Sequence, residues 1–246
     1  MLSKSTVKYI QSLHQKKFRD QHHSFIAEGP KVVGELLASG IYECKKIFYT
    51  AQWQHLLKVN LANAHFQIHT LVEPYELEKI SVLDTPNMVV AEFKTLYPPL
   101  INPEGRISFV LDGIRDPGNL GTIIRTADYF AIPQIICSPD CVDMYNSKVV
   151  QSTMASLGRV NIVYMDLPTL LNERKVPCYA ATLDGKNVSA ISHIPEGLII
   201  FGNESKGISE NILSLADEQI SIYRKGAAES LNAAIAAAII AYVVSG

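Results

Sequence analysis

The sequence lacks the patterns that mark a secreted, membrane-spanning or metal-binding protein. Its four cysteines form no CxxC pair and no metal-ligand pattern, so we expect reduced, mostly buried thiols and no bound metal. No apolar secretory segment follows Met1, and the longest apolar run, Ala233 to Val244, is too short to span a bilayer. These absences favour a cytoplasmic protein without a membrane partner.

The glycine fingerprints of common cofactor folds are also missing. There is no GxGxxG after the first strand, no GxxxxGK[ST] loop, no HExxH and no GxSxG. A nucleotide-dependent enzyme of another class on an open α/β sheet stays an alternative, but these absences disfavour it. The two histidines of HFQIH, His65 and His69, lie in a predicted strand, so we do not expect them to bind a metal as a pair.

Charge is distributed unevenly along the 246 residues. The net charge is −2, yet residues 1–100 carry 11 Lys and Arg against 9 Asp and Glu, whereas residues 101–246 carry 11 against 15. Residues 1–31 alone hold 6 basic and 2 acidic side chains. A basic face of this kind suits a polyanion, although a solvated helix surface explains the charge as well.

Short apolar strands and amphipathic helices alternate along the chain, which favours an α/β fold. A basic amphipathic helix is predicted over residues 4–18, and further helices in PKVVGELLASG, AQWQHLLKV and EPYELEKI. The predicted strands are FIAE, KKIFYT, HFQIHTL and MVVAEF in the first half, then RISFVLDG, PQIICS, RVNIVYM, VPCYAATL, GLIIFG and QISIYR. The near-continuous apolar strands of the second half indicate a sheet covered on both faces.

A domain boundary is predicted where the sequence reads YPPLINPEG, because three prolines and a glycine in nine residues make a linker. We therefore assign residues 1–97 to a first α/β domain, 98–105 to the linker and 106–246 to a second domain.

The most informative loop is LDGIRDPGNLGTIIRTADYF, residues 111–130. Its Pro-Gly pair is typical of a type II turn, so we expect a turn from Asp116 to Asn119 and a helix beginning near Thr122. Asn119 could then contact Arg125 only if the turn folds back. A capped helix start with a surface arginine is an equally good interpretation at this point.

Two further loops follow predicted strands. GLIIFGNESKGIS ends a buried strand in Gly202 and then places Glu204 where α/β sheets bind ligands, although a capped loop would look the same. In ESLNAAIAAAII, Ser230 and Asn232 precede a helix so apolar that we expect it to be buried on nearly every side. They either cap that helix or also face a site. In a parallel sheet all three loops would meet at one edge.

The segments DPGNLGTIIRTA, IIFGNESKGIS and ISIYRKGAAESLNAAIAAAI resemble, in order and spacing, the three motifs of the SpoU (TrmH-type) RNA 2′-O-ribose methyltransferases. That family belongs to the knotted SPOUT class. The opening KYIQSLHQKKFRDQHHSFIAEGPKVVGELLASG is similar to the family's substrate-binding domain. The resemblance therefore implies an α/β fold with a C-terminal parallel-sheet SPOUT domain and a smaller RNA-binding α/β domain before it.

The resemblance assigns catalytic positions residue by residue. Asn119 and Arg125 match the polar pair of the first motif, Glu204 matches the acidic residue of the second, and Ser230 and Asn232 match the SLN of the third. The resemblance implies that Arg125 is a base that accepts the ribose hydroxyl proton. Because a guanidinium stays protonated at neutral pH, we instead expect it to stabilise negative charge on the attacking ribose oxygen. Asn119 would orient Arg125, while Glu204 would hold either a loop or the arginine.

The resemblance also implies a cofactor and partners. Family members bind S-adenosylmethionine in a deep C-terminal trefoil knot, largely through backbone groups, and are homodimers with the active site near the subunit interface. The matching cofactor positions are Thr182, Leu183, Gly202, Ile222 and Leu231. The chain departs from the family where Tyr223-Arg224 replaces a usual Pro-Met, which would bring a cation near the sulfonium.

The sequence thus predicts an S-adenosylmethionine-dependent methyltransferase acting on a ribose 2′-hydroxyl of structured RNA. The additional basic first domain favours ribosomal RNA over transfer RNA, which stays an alternative. A ribosome-associated RNA-binding factor of the same fold without turnover is a second alternative.

Overall fold

The structure, a computed structural model, describes residues 1–54, 68–191 and 194–245. The chain divides into two compact units, which we describe separately. Unit 1 comprises Met1–Leu96 and Asp143–Gly158, and unit 2 comprises Tyr97–Val142 and Arg159–Gly246. Residues 143–158, which the sequence analysis assigned to the second domain, therefore pack with the first.

Unit 1 is built on a four-stranded sheet of order β1-β4-β2-β3. Strands β2 and β3 are parallel, and β4 is antiparallel to β1 and β2. The elements are α1 (Lys4–Ser12), α2 (Lys16–His22), β1 (Ser24–Glu28), α3 (Pro30–Ser39), β2 (Cys44–Tyr49), β3 (Ile68–Leu71), α4 (Pro74–Leu77), β4 (Val89–Lys94) and α6 (Ser147–Ser152). The helix predicted in AQWQHLLKV and the start of the HFQIHTL strand, with His65, lie partly outside the described residues.

The single helix predicted over residues 4–18 is wrong, since the structure has two helices, α1 and α2, separated at residues 13–15. The buried Arg19 explains the break. Its Nη1 atom donates to the carbonyl oxygens of Leu13 and His14, at 3.2 and 2.9 Å, and its Nε and Nη2 atoms donate to the Asp143 carboxylate. A buried guanidinium needs such hydrogen-bond partners. In a continuous helix, these carbonyl oxygens would instead accept backbone N–H groups four residues further along the helix.

The segment Asp143–Gly158 is anchored in unit 1 by aromatic packing. The Tyr145 ring stacks on Phe25 of β1 with centroids 4.5 Å apart, and its hydroxyl group is bonded to the backbone of Leu96. Tyr145 is among the largest fully buried side chains, so this contact removes much apolar area from water.

Unit 2 contains a six-stranded parallel sheet of order β10-β8-β9-β5-β6-β7. Its elements are β5 (Ile107–Asp112), α5 (Pro117–Tyr129), β6 (Gln134–Cys137), β7 (Asn161–Tyr164), α7 (Leu167–Glu173), β8 (Cys178–Asn187), β9 (Gly197–Gly202), α8 (Glu210–Leu213), β10 (Glu218–Ser221) and α9 (Ala233–Val244). The predicted buried sheet is present, because its inner strands β5, β6 and β9 are buried over nearly their whole length.

The backbone passes very close to itself at two glycines of unit 2. A Cβ on Gly202 would lie 2.2 Å from the Gly207 carbonyl carbon and the Ile208 nitrogen. A Cβ on Gly185 would lie 2.5 Å from the carbonyl carbon of Gln219. Any side chain would collide with backbone at these crossings, so glycine is required there for close approach.

Several general features bear on the compartment and metal predictions. All four cysteines are free and buried, in line with the predicted reduced thiols. Across the described residues, no helix is long and apolar enough to cross a membrane, and no three acidic, His or Cys side chains are grouped to hold a metal ion.

Candidate active site at the carboxyl edge of the unit 2 sheet

The three predicted loops begin at the carboxyl ends of parallel strands β5, β9 and β10. In the sheet, β6 and then β7 lie on one side of β5, whereas β9, β8 and β10 lie on its other side. The order of strands therefore reverses between β5 and β9. Open α/β sheets bind ligands at such a reversal, outside the carboxyl ends of the strands.

The first loop forms differently from the prediction. Helix α5 begins at Pro117, not near Thr122, and the type II turn is absent, since Gly118 lies inside the helix. Proline at the first helical position and aspartate as the preceding cap are a strong start signal, and the Asp116 carboxylate accepts the Asn119 N–H at 2.8 Å. Asn119 thus lies in the first turn of α5, with its side chain fixed in direction by the helix.

The start of the first loop is braced by a polar cluster. The Gly113 N–H donates to the Ser138 hydroxyl at 2.9 Å, Ser138 donates to Asp140 at 2.6 Å, and Arg115 pairs with Asp140 at 3.0 Å. The Ser138 hydroxyl and then the Arg115 guanidinium lower the pKa of the Asp140 carboxyl. Asp140 therefore remains charged at neutral pH and holds Arg115 beside the loop.

The second loop is tied to the first by Asn203. Its Nδ2 atom donates to the Gly113 carbonyl at 2.7 Å, while its backbone exchanges two hydrogen bonds with Gly207. Gly207 has a φ of 70°, which favours glycine and closes this tight turn. Sequence reasoning did not single out Asn203, although a polar residue directly after the strand-ending glycine was the available signal.

The third loop ends in the cap of α9. Asn232 is the cap residue, and its Oδ1 atom accepts the N–H groups of Ala234 and Ile235 at 2.9 and 3.3 Å. The capping prediction is confirmed for Asn232 and wrong for Ser230, which lies two residues before the cap and forms no hydrogen bond within the described part of the chain. The Ser230 hydroxyl is therefore exposed and available to a ligand.

A chain of hydrogen bonds joins one side chain from each of the three loops. The Asn232 Nδ2 atom donates to Asn119 Oδ1 at 2.9 Å, and Asn119 Nδ2 donates to Glu204 Oε1 at 2.6 Å. We call these three residues the amide–carboxylate chain. They are 113 and 85 positions apart in sequence, so only the folded sheet edge brings them together.

Arg125 lies in the same helix as Asn119 but on a different side of it. Six residues correspond to roughly 600° of helical rotation, which places the two side chains about 120° apart. The expected Asn119–Arg125 contact does not form, since the Asn119 amide is bonded to Glu204 and Asn232 instead. Arg125 is exposed and has no hydrogen-bond or ion-pair partner among the described residues.

Of the predicted cofactor positions, Thr182 and Leu183 lie within β8, not on a loop after that strand, Gly202 ends β9, and Ile222 and Leu231 follow β10. Leu183 and Leu231 are apolar yet 62% and 47% exposed. Thr182 is held by its hydroxyl group, which donates to Gln219 Oε1 at 3.3 Å, while Ile222 directly follows β10 and Gly202 ends β9. The two leucines therefore offer exposed apolar surface, and at Gly202 the chain passes close to the backbone of Gly207 and Ile208.

Arg224, the cation expected near the sulfonium, is hydrogen-bonded within the third loop. The Arg224 Nη1 atom donates to the carbonyl oxygens of Ala228 and Glu229, at 3.4 and 3.2 Å. The guanidinium therefore braces the turn that precedes Ser230, in the loop where the family's proline would restrict the backbone.

Comparison with known families identifies the class of protein. A family model described as the SpoU rRNA Methylase family matches residues 106–242, and one described as the MRM3-like substrate binding domain matches residues 4–91. Since the first match covers more than half of the chain, this chain belongs to the SpoU rRNA methylase family. The predicted family is confirmed.

Individual proteins resemble the chain over nearly its whole length. A 23S rRNA (guanosine(2553)-2′-O)-methyltransferase, RlmP of Bacillus subtilis, is 29% identical over 98% of this chain and 96% of its own. A putative RNA methyltransferase of the TrmH family from Porphyromonas gingivalis has a TM-score of 0.88 and 32% identity, covering 98% of this chain and 97% of its own. An AdoMet-bound rRNA methyltransferase from Sinorhizobium meliloti has a TM-score of 0.87 and 32% identity, over 98% and 94%. The predicted fold class is confirmed.

Proposed function

We propose that this protein transfers a methyl group from S-adenosylmethionine to a ribose 2′-hydroxyl of ribosomal RNA. The observation that carries the proposal is an unpaired guanidinium, that of Arg125, in the helix that also contributes Asn119 to the amide–carboxylate chain at the strand-order reversal. The family match supports the enzyme class and the cofactor, and at that level the sequence prediction is confirmed.

Arg125 is assigned the electrostatic role. A ribose hydroxyl is a poor nucleophile at neutral pH, so its oxygen must gain negative charge as it attacks. When bound, S-adenosylmethionine would supply the electrophilic methyl group, with the S–CH3 bond breaking as the O–CH3 bond forms, S-adenosylhomocysteine as the leaving group and the hydroxyl proton passing to solvent. A guanidinium without a hydrogen-bond or ion-pair partner among the described residues is available to stabilise the attacking oxygen, and removing one such interaction typically costs about 3 kcal/mol of transition-state stabilisation.

The amide–carboxylate chain is assigned a positioning role. The Asn232 amide donates to Asn119, and the Asn119 amide donates to Glu204. These two hydrogen bonds hold the three loops together. Of the two roles open for Glu204, this contact favours holding a loop over holding Arg125. Ser230 is assigned to substrate or cofactor contact, because its hydroxyl is exposed at the same edge.

The cofactor is assigned to Thr182, Leu183, Gly202, Ile222 and Leu231. The exposed leucines would cover an apolar part of the ligand, and the loop backbone would bind its polar groups. We propose that the same loops form the trefoil knot, which the close crossing at Gly202 supports.

We also propose a homodimer. Helix α9 is not buried on nearly every side as predicted, because Ile235 is 52% and Tyr242 72% exposed on one face. Helix α5, which packs against α9, carries the exposed Tyr129 one turn after Arg125. Burial of this apolar face by a second copy would place Arg125 at the interface. Sedimentation should then give twice the chain mass of 27.2 kDa, and a monomer would contradict the proposal.

The first domain, residues 1–97, is proposed to bind the RNA in the cytoplasm, and residues 106–246 to carry out the transfer. The match of residues 4–91 to a substrate-binding domain supports this division. Relatives that act on ribosomal RNA, such as the Bacillus subtilis enzyme, favour ribosomal over transfer RNA. The alternative of an RNA-binding factor without turnover is disfavoured, because such a protein would not need an unpaired arginine at this position.

The experiment is transfer of a labelled methyl group to purified ribosomal RNA, followed by alkaline hydrolysis. Methylation of the 2′-oxygen leaves the adjacent linkage resistant, whereas label on a base would refute the assigned reaction. Arg125→Ala should reduce transfer by more than about a hundredfold while binding of S-adenosylmethionine is kept. Arg106→Ala, at an exposed arginine just before β5, is the matched control and should transfer normally.

A further inference from the structure

A cavity of about 390 Å³ lies in unit 1, far in sequence from the three catalytic loops. It opens at the carboxyl ends of the adjacent parallel strands β2 and β3, where Thr50 follows β2 and Val72 follows β3. Ligands of α/β sheets bind at this end of parallel strands. We call it the strand-end pocket, and its volume falls in the range of small-molecule sites.

The strand-end pocket is an open cleft whose apolar lining is buried only in part. Val72 and Leu77 are buried, whereas Leu71 and Pro74 are exposed, and Ala51, Pro86 and Met88 also contribute apolar lining. Met88 has a φ of 58°, an uncommon conformation for a residue with a side chain. Its carbonyl accepts the N–H of Thr50 at 2.9 Å, which keeps it there. Strained positions held by their surroundings cluster at ligand sites.

The polar part of the pocket lining consists largely of carboxylate and amide side chains. Glu73, Glu78, Gln52 and Asn87 line the pocket, and none of its described lining residues is basic. The Glu73 carboxylate caps α4, whereas that of Glu78 has no hydrogen bond or ion pair within the described chain. The described lining therefore offers hydrogen-bond acceptors, which favour a group with N–H donors over a phosphate.

From this geometry we infer that the strand-end pocket binds one unpaired guanine base of the RNA. A guanine edge presents two parallel N–H donors, N1 and N2, which a single carboxylate such as that of Glu78 can accept together. The apolar walls cover the faces of the base. This inference rests on the proposed RNA-binding role of the first domain.

The surroundings of the pocket suit the rest of a nucleotide. Tyr75 and Lys79 adjoin the lining residues Pro74 and Glu78 in the chain, and the Lys79 Nζ atom lies 5.0 Å from the centre of the half-exposed Tyr75 ring. An exposed aromatic ring can stack on a neighbouring base, and a lysine can pair with a phosphate. The carboxylates of Glu73 and Glu78 are thus exposed along the pocket, and the Lys79 cation is next to Glu78 in the chain.

The test measures fluorescence anisotropy of the full-length protein with oligouridine RNA carrying one central guanosine, without S-adenosylmethionine. The guanosine oligomer should bind more tightly than the inosine oligomer, which lacks the N2 amino group, and than pure oligouridine. Glu78→Gln should weaken guanosine binding by about 5- to 150-fold and remove the preference over inosine. Asp20→Asn, an exposed carboxylate of α2, is the control and should keep both.

A second pair of variants tests the pocket by blocking it. Leu71→Arg would fill the mouth, while Ile41→Arg adds the same charge at a residue outside the pocket, and both wild-type side chains are 53% exposed. Only Leu71→Arg should lose the guanosine preference. Equal binding of guanosine and inosine oligomers, or equal behaviour of the two arginine variants, overturns the inference.

The outcome separates this inference from the proposed function. A protein that methylates ribosomal RNA but shows no guanosine preference contradicts the pocket alone. A protein with that preference but no methyl transfer contradicts the reaction alone. Binding of free guanosine monophosphate without preference among the RNA oligomers would show a free-nucleotide site and overturn the assignment to RNA.

Discussion

The double role of Asn232 can be separated by a single substitution. Its Oδ1 atom caps α9, and its Nδ2 atom donates to Asn119 at 2.9 Å. Asn232→Asp keeps the capping oxygen but replaces the donor with an acceptor. Asn232→Ala removes both. The two variants should therefore have different effects on stability and on methyl transfer.

The expected magnitudes follow from the contacts. Aspartate caps a helix as well as asparagine does, and its charge at a helix N-terminus is favourable by about 0.3–1 kcal/mol, which offsets part of the lost hydrogen bond to Asn119, so Asn232→Asp should unfold at a higher urea concentration than Asn232→Ala. Asn232→Ala should lose about 1 kcal/mol. In the site, loss of this solvent-exposed hydrogen bond should cost about 0.5–1.5 kcal/mol, or about 2- to 13-fold in kcat/KM.

The assay combines urea unfolding at pH 7 with labelled methyl transfer to ribosomal RNA. Asn146 provides the control, since it caps α6 through the Lys148 N–H in unit 1. Asn146→Asp should match the wild-type protein in both measurements. If Asn232→Asp transferred methyl groups at the wild-type rate, the hydrogen bond to Asn119 would have no part in positioning and the reasoning would be refuted.

Other expected outcomes concern packing and pH. Gly202→Ala should destabilise unit 2 by more than about 2 kcal/mol, because its Cβ would meet backbone atoms at 2.2 Å, whereas Gly226→Ala has open space and should be tolerated; equal urea midpoints would contradict this. Burial lowers the pKa of His14, which hydrogen-bonds Ser147 and the Ile80 carbonyl, so below about pH 6.5 protons bind preferentially to the unfolded chain. The free energy of unfolding should therefore fall from pH 7 to pH 5, and less steeply in His14→Gln; identical slopes would exclude His14 as the cause.

Element types were predictable where a strand is apolar on both faces. GLIIFG and RISFVLDG are strands β9 and β5 in the interior of the sheet, as their composition predicts. The break between α1 and α2 was not predictable, because it depends on Arg19 reaching Asp143, which is 124 residues away in the chain. A local pattern contains no information about such a partner.

The site was predictable in its residues but not in its contacts. The three motifs contain Asn119, Glu204 and Asn232, and the sheet brings these together. The expected contact between Asn119 and Arg125 failed because the Pro-Gly pair was interpreted as a turn. With Asp116 before it, the same pair begins a helix, and the helical rotation then separates the two side chains.

The separation of Arg125 from the amide–carboxylate chain predicts an order of sensitivity among the site residues. The amide–carboxylate chain contains the negative charge of Glu204 and two neutral amides, so it offers no positive charge to an oxygen that becomes anionic. Of these four residues, only Arg125 carries a positive charge, and a guanidinium without a partner among the described residues gives up no hydrogen bond when it engages the substrate. Loss of Arg125 should therefore reduce transfer more than loss of Asn119 or Asn232, whose absence loosens the loops but leaves the charge in place.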